Sequence, residues 1–115
     1  MGKFIKYKDI EVGKGNIPTK GHKVAISYKI TLPTGDIIDS ENPEDFSKLP
    51  FPTNFRLGLG NMVTGLTRAI QTMRIGGIRE ILLAPEMGFG DRGCVIADIR
   101  PDEAFIVEVH LLEGH

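Results

Sequence analysis

Hydrophobic and polar residues alternate most regularly over 22–32, where Val24, Ile26, Tyr28, Ile30 and Leu32 interleave with Lys23, Ala25, Ser27, Lys29 and Thr31. A period of two predicts a half-buried strand, because successive side chains point to opposite faces of a sheet. Phe105, Val107, Val109 and Leu111 repeat the signal over 105–112, and 78–83 reads as another strand. Pro33-Thr34-Gly35-Asp36 is turn chemistry, so 22–32 and 36–39 are expected to form a hairpin. Weaker signals predict a mostly polar edge strand at 4–11 and a short strand at 54–57. The period changes over 64–74. There Leu66, Ala69, Ile70 and Met73 fall at i, i+3, i+4 and i+7, the single apolar stripe of a helix. Thr64 is expected to cap its start and Gly76-Gly77 to stop it. Two stretches lack a period: 40–53, with Pro43, Pro50 and Pro52, and the long loop 84–104. About five or six antiparallel strands and one short helix make an α+β domain, with the helix stripe covering one sheet face.

The composition leaves this picture intact and narrows the chemistry. A chain of 115 residues has single-domain length, so one domain over 1–115 is expected. Hydrophobic residues at 41% and charged residues at 25% are globular values, which argues against disorder. Lys+Arg is 14 and Asp+Glu is 15, so a strongly basic nucleic-acid module is excluded. The lone Cys94 excludes an internal disulfide framework and a multi-cysteine zinc site. No apolar run approaches the roughly 18 residues of a membrane span. Met1-Gly2-Lys3-Phe4-Ile5-Lys6 holds no leader-like apolar stretch, which makes the cytoplasm the expected location.

A search for catalytic motifs returns little. His22, His110 and His115 have no metal-ligand spacing with one another or with Cys94. Gly58-Leu59-Gly60 lacks the third glycine and the long helix of a dinucleotide loop, and no Gly-x-Ser-x-Gly is present. A pattern of segments remains. Val24-Ala25-Ile26-Ser27-Tyr28 is followed by Gly35-Asp36-Ile37-Ile38-Asp39-Ser40, then by Phe55-Arg56-Leu57-Gly58 and Met62-Val63-Thr64-Gly65-Leu66. Met73-Arg74-Ile75-Gly76-Gly77, Ala84-Pro85-Glu86-Met87-Gly88-Phe89-Gly90 and Pro101 complete the series. In order, spacing and residue type it resembles the FKBP-type peptidyl-prolyl isomerases over about residues 7–112.

The resemblance implies a curved antiparallel sheet wrapped over one short helix. It also implies cis/trans isomerisation of X-Pro bonds in peptides or folding proteins, without cofactor or metal. Amide resonance sets a barrier of about 18–20 kcal/mol. A twisted amide is less polar than a planar one, so a dry apolar pocket favours the transition state. Position by position, the resemblance puts Tyr28, Asp39 and Phe89 at catalytic positions. It puts Ile38, Phe55, Met62, Val63, Leu66, Ile96, Ile99 and Val107 around the substrate, with Ile96 and Ile99 as alternatives at the rim. Phe89 stands where the family has a tyrosine that donates to the bound carbonyl. Leu66 stands where many members have tryptophan, and Ile38, Thr53 and Val107 replace aromatics. Ile30 stands where glycine is usual.

A wider, less aromatic pocket and reduced activity follow, and macrolide binding, which leans on the lost aromatic walls, is not expected. Proline-containing peptides or unfolded proteins are the expected partners, with no nucleic acid, no membrane and a monomeric state. An FKBP-like binding module without useful turnover is the alternative. The stretch from Ser40 to Pro52 is about five residues longer than in minimal members, and its Phe46 or Phe51 would either close the pocket mouth or plug the sheet edge. Tyr28 has plain core as its alternative, and Asp39 a turn cap. If Tyr28, Ile38 and Asp39 all line one pocket, a bulge is required near 38–39. The loop 84–104 is expected to be an ordered flap. Phe89 would point inward, Asp91 and Arg92 would face solvent, Val95, Ile96 and Ile99 would serve as anchors, and Cys94 would be a free thiol.

Overall fold

The computed structural model describes residues 6–43 and 45–115. Among these residues, six strands form one antiparallel sheet: β1 (Lys6–Glu11), β2 (Lys23–Thr31), β3 (Ile37–Asp39), β4 (Asn54–Arg56), β5 (Ile78–Leu83) and β6 (Phe105–Gly114). Their order is β1-β5-β6-β2-β3, and β4 also pairs with β2. The α+β class and the antiparallel architecture expected from the alternation are therefore observed. Residues 4 and 5 of the first predicted strand lie outside the described residues. The hairpin forms as read, with Thr31 opposite Ile37 and Gly35 taking φ +92° in the turn, a conformation that suits a residue without Cβ. β6 runs two residues past its predicted end, and the register shifts where it meets Ala25 and Ile26 of β2.

One face of the sheet carries the core. Val24, Ile26, Tyr28 and Ile30 of β2 meet Val107, Val109 and Leu111 of β6 and Ile81 and Leu83 of β5, all buried. The helix α1 (Thr64–Ile70) covers this face with Leu66, Ala69 and Ile70. It is shorter than predicted. After Ile70 the chain tightens, with Thr72 N–H donating to Ala69 O at 3.4 Å and Met73 N–H to Ile70 O at 3.0 Å. Such i→i−3 bonds end a helix in a tight turn, and they keep Met73 buried although it lies beyond the helix. Val63, not Thr64, is the N-cap, and no side chain caps the start.

Two residues fix where the helix sits. A Cβ on Gly65 would collide with the Leu83 side chain and meet Met87 at 3.0 Å, so only glycine lets the helix start approach β5 this closely. Arg79 is buried on the inward face of β5. Its guanidinium donates to Asp9 Oδ1 at 2.6 Å, to Ala69 O at 2.8 Å and to Thr72 Oγ1 at 2.6 Å. It also lies 4.0 Å from the Tyr7 ring centroid. A cation at a helix C-terminus satisfies orphan carbonyls and complements the dipole. Arg79 thereby ties β1, β5 and α1 together.

Candidate functional site

The aperiodic stretch 40–53 is laid along β2 by backbone bonds at its two ends. Ser40 N–H donates to Tyr28 O at 2.9 Å, and Ser40 Oγ accepts from Tyr28 N–H at 2.8 Å. At the other end, Ile26 N–H donates to Thr53 O at 2.8 Å. Between these clamps, the Tyr28 hydroxyl donates to Phe51 O at 2.7 Å and accepts from Phe51 N–H at 3.2 Å. Phe51 is consequently only 3% exposed, whereas Phe46, on a 3₁₀ turn at Phe46–Lys48, is 75% exposed. Of the two rings considered for the pocket, Phe51 turns inward and Phe46 does not.

Phe51 joins an aromatic cluster. Its ring centroid lies 5.3 Å from that of Tyr28, 5.5 Å from that of Phe89 at an interplanar angle of 8°, and 6.4 Å from that of Phe105. Phe89 and Phe105 are 6.2 Å apart. The Phe51–Phe89 separation and near-parallel planes fit an offset stack. Next to this cluster opens a groove of about 380 Å³, bordered by Pro50, Phe51 and Pro52 on one side, by Gly60, Asn61, Met62 and Val63 on another, and by Phe89. No side chain on this border is ionisable.

The predicted site residues fall into three groups. Met62, Val63 and Phe89 border the groove. Tyr28 lies beneath Phe51, and Leu66, Val107 and Ile99 are buried in the same core, with Ile38 packed against it. Phe55 belongs to the same core without bordering the groove, and Asp39 and Ile96 lie elsewhere. The register Lys29–Asp39 and Ile30–Ile38 is regular, with no bulge, so Asp39 shares the outward side with Lys29. Its Oδ1 accepts from Glu41 N–H at 3.0 Å, which is a turn cap. Phe55 borders a second cavity, and Ile96 is 54% exposed. Sequence reasoning gave no place in the site to Pro50, Pro52, Gly60, Asn61 or Phe105. For Phe105 the signal was present, since it begins the inward phase of the last strand.

The loop 84–104 packs onto the core through Met87, Ala97 and Ile99. It contains 3₁₀ turns at Pro85–Met87 and Val95–Ala97 and a bridge between Cys94 and Ile99. Asp91 and Arg92 are exposed and Phe89 is half-buried, as expected. Of the expected anchors Ile99 is buried, whereas Val95 and Ile96 are not. Ala97 is buried as well, while Val95 is 89% exposed. The 3₁₀ turn ends at Asp98 in the left-handed region, φ 57°, which reverses the chain so that Ile99 rather than Val95 meets the core. Cys94 is a free, half-buried thiol.

Burial pushes the Tyr28 hydroxyl above its ordinary pKa, opposed by the bond from Phe51 N–H and reinforced by the nearby Cys94 thiol. Tyr28 is thus a neutral latch on Phe51, with its donor and one acceptor site already used.

A family model described as FKBP-type peptidyl-prolyl cis-trans isomerase matches residues 14–112. FK506-binding protein 1 of Dictyostelium discoideum is 33% identical over 103 residues, covering 90% of this chain and 91% of that protein. The chloroplastic peptidyl-prolyl cis-trans isomerase FKBP16-3 of Arabidopsis thaliana is 36% identical over 97 residues, covering 84% of this chain but 41% of its own length. The crystal structure of AtFKBP13 superposes with a TM-score of 0.80 at 25% identity, covering 96% of this chain and 93% of that one.

Proposed function

The chain belongs to the FKBP-type peptidyl-prolyl cis-trans isomerase family, an isomerase family whose substrates are proline-containing peptides, and on that premise we propose that the groove beside Phe51 binds an X-Pro segment and lowers the barrier to rotation of its amide. The observation that carries this reading is the groove border itself: Phe51 stacked on Phe89 faces Met62 and Val63, with no ionisable group among them. Its volume falls within the range of small-ligand sites, about 300–1,000 Å³.

The proline ring would lie against Phe51 and Phe89, and the main chain of Met62 and Val63 would hold the peptide. The Val63 carbonyl is taken by Thr67 N–H at 3.1 Å, and the Met62–Val63 N–H groups would receive a substrate carbonyl. The twisted amide, stripped of part of its dipole, loses less than the planar amide on leaving water. Phe51 takes the place of an aromatic wall that Ile38, Thr53 and Val107 do not supply. Activity is below that of members with a hydroxyl at the loop position, because Phe89 has none and the Tyr28 hydroxyl is occupied by Phe51. The same two facts favour the second reading, a peptide-binding domain with little turnover.

A single domain and a monomeric state go with this proposal. Among the described residues, no helix is long and apolar enough to cross a membrane. Amide NMR during titration with a short X-Pro peptide separates groove from surface: shifts at Phe51, Met62, Val63 and Phe89 are expected. Exchange-broadened peptide proline signals mean turnover, and shifts without them mean binding alone. Shifts elsewhere with these four silent would remove both readings.

A further inference from the structure

A second cavity, larger than the groove at about 560 Å³, lies on the outer face of the sheet where β4, β2 and β6 run side by side. It forms because Ala25 is short and its neighbours are long. Ala25 pairs with Asn54 on β4 and with Glu113 on β6, and one row along, Lys23 pairs with Arg56. Directly opposed side chains on antiparallel strands have Cβ atoms about 4.5–5.5 Å apart, and like charges there are unfavourable. Among the described residues neither Lys23 nor Arg56 is in an ion pair. Arg56 donates to Gly21 O at 3.0 Å, which holds the guanidinium in place without neutralising it. Two unneutralised cations thus face each other beside a dent that Ala25 leaves open.

The cavity adjoins the groove. Asn61 borders both. Pro52 borders the groove and Asn54 the cavity, and two residues of extended chain span at most about 7 Å. A polypeptide with its proline in the groove therefore reaches the cavity with a residue about two or three positions away. We propose that the Ala25 cavity is an accessory subsite that takes an acidic residue of the same polypeptide, its carboxylate set between Lys23 and Arg56. The proposal rests on the prolyl reading of the groove. It adds a preference that the apolar groove cannot express, namely for prolines with an acidic residue nearby. Glu113, in the next row, opposes the anion and sets an upper limit on the preference.

The test compares the affinity of a short X-Pro peptide with versions extended by Glu-Glu or Lys-Lys at either end, at low ionic strength, by fluorescence anisotropy. An exposed ion pair corresponds to a gain of about 1.4- to fivefold, so the Glu-Glu extension at one end should bind about threefold tighter, and salt should erase the gain. Lys23→Gln with Arg56→Gln should abolish the gain and leave the short peptide unaffected, while Glu113→Gln should increase it. All three positions are exposed, so these variants should retain the wild-type melting temperature. Equal binding of the Glu-Glu and Lys-Lys peptides, or a gain that survives in the double variant, would overturn the subsite and leave the groove standing. A short peptide that fails to bind would instead remove the prolyl reading and the subsite together.

Discussion

Phe51 has its backbone bound on both sides by one tyrosine hydroxyl and its ring in contact with three others. Phe51→Ala should cost about 3–5 kcal/mol of stability, since the cavity it leaves cannot collapse against Tyr28 without breaking that latch. Phe51→Leu keeps the volume roughly filled but removes the flat wall. It should fold and lose about tenfold in kcat/KM, measured against urea denaturation of the same sample. Phe89→Tyr should act in the other direction. A restored hydroxyl donor at the groove corresponds to about 0.5–1.5 kcal/mol, a gain of roughly two- to tenfold in kcat/KM. The Tyr28 hydroxyl has a signed pH consequence. Its folded pKa is raised above 10.0, so its contribution to stability is complete below about pH 10 and is lost as the pH rises from there through the raised folded value. Tyr28→Phe should be less stable by about 1–3 kcal/mol at neutral pH. The gap should narrow above pH 10 in thermal melts. The sequence showed Phe51 as an aromatic between two prolines in a longer stretch, but its inward turn depends on a hydroxyl 23 residues away in the chain, which no local pattern contains.

Among the elements, the strands were the legible part. Alternation in β2, β5 and β6 puts the buried apolar residues in one phase, although Ser27 of β2 is buried in the other, so a slip by one residue would expose the whole apolar set, and the pattern fixes each face. The helix was legible at its start and overrun at its end, because Met73 continues the apolar stripe while the backbone has already tightened into turns. Arg79 stands in the inward phase of β5, and its partners Asp9 and Ala69 come from two other elements. The helix start carries Met62 and Val63 into the groove, so it is where element position becomes chemistry. Gly65→Ala should cost about 1–3 kcal/mol by overpacking against Leu83 and Met87. It should also displace the Met62–Val63 segment. An Arg79→Met variant should lose comparable stability by unpinning the other end of the helix, but its kcat/KM should stay near wild type below the melting transition. Together the pair distinguishes positioning of the groove from stability of the sheet.

For the whole molecule, the order of segments along the chain was more informative than any single residue. It gave the family, and with it the expectation of one pocket shared by Tyr28, Asp39, Met62, Val63, Leu66 and Phe89. What it could not give was the packing of the aperiodic stretch 40–53. Asp39, matched by position, caps a turn, and Phe51, not matched, walls the groove. Register explains the first, because a regular β3 leaves Asp39 on the outward side. A groove bordered by no ionisable side chain also predicts a rate that is flat between about pH 5.5 and 8.5, in contrast to general acid–base catalysis. The most direct test of the groove as a prolyl site is magnetisation-exchange NMR on a short X-Pro peptide with wild-type protein and Phe51→Leu in parallel. Without catalysis the peptide interconverts over tens to hundreds of seconds at 25 °C. Acceleration by the wild type, reduced about tenfold by Phe51→Leu, is the predicted result. An interconversion rate in the presence of wild-type protein equal to that of the peptide alone, or acceleration indifferent to Phe51→Leu, would contradict it.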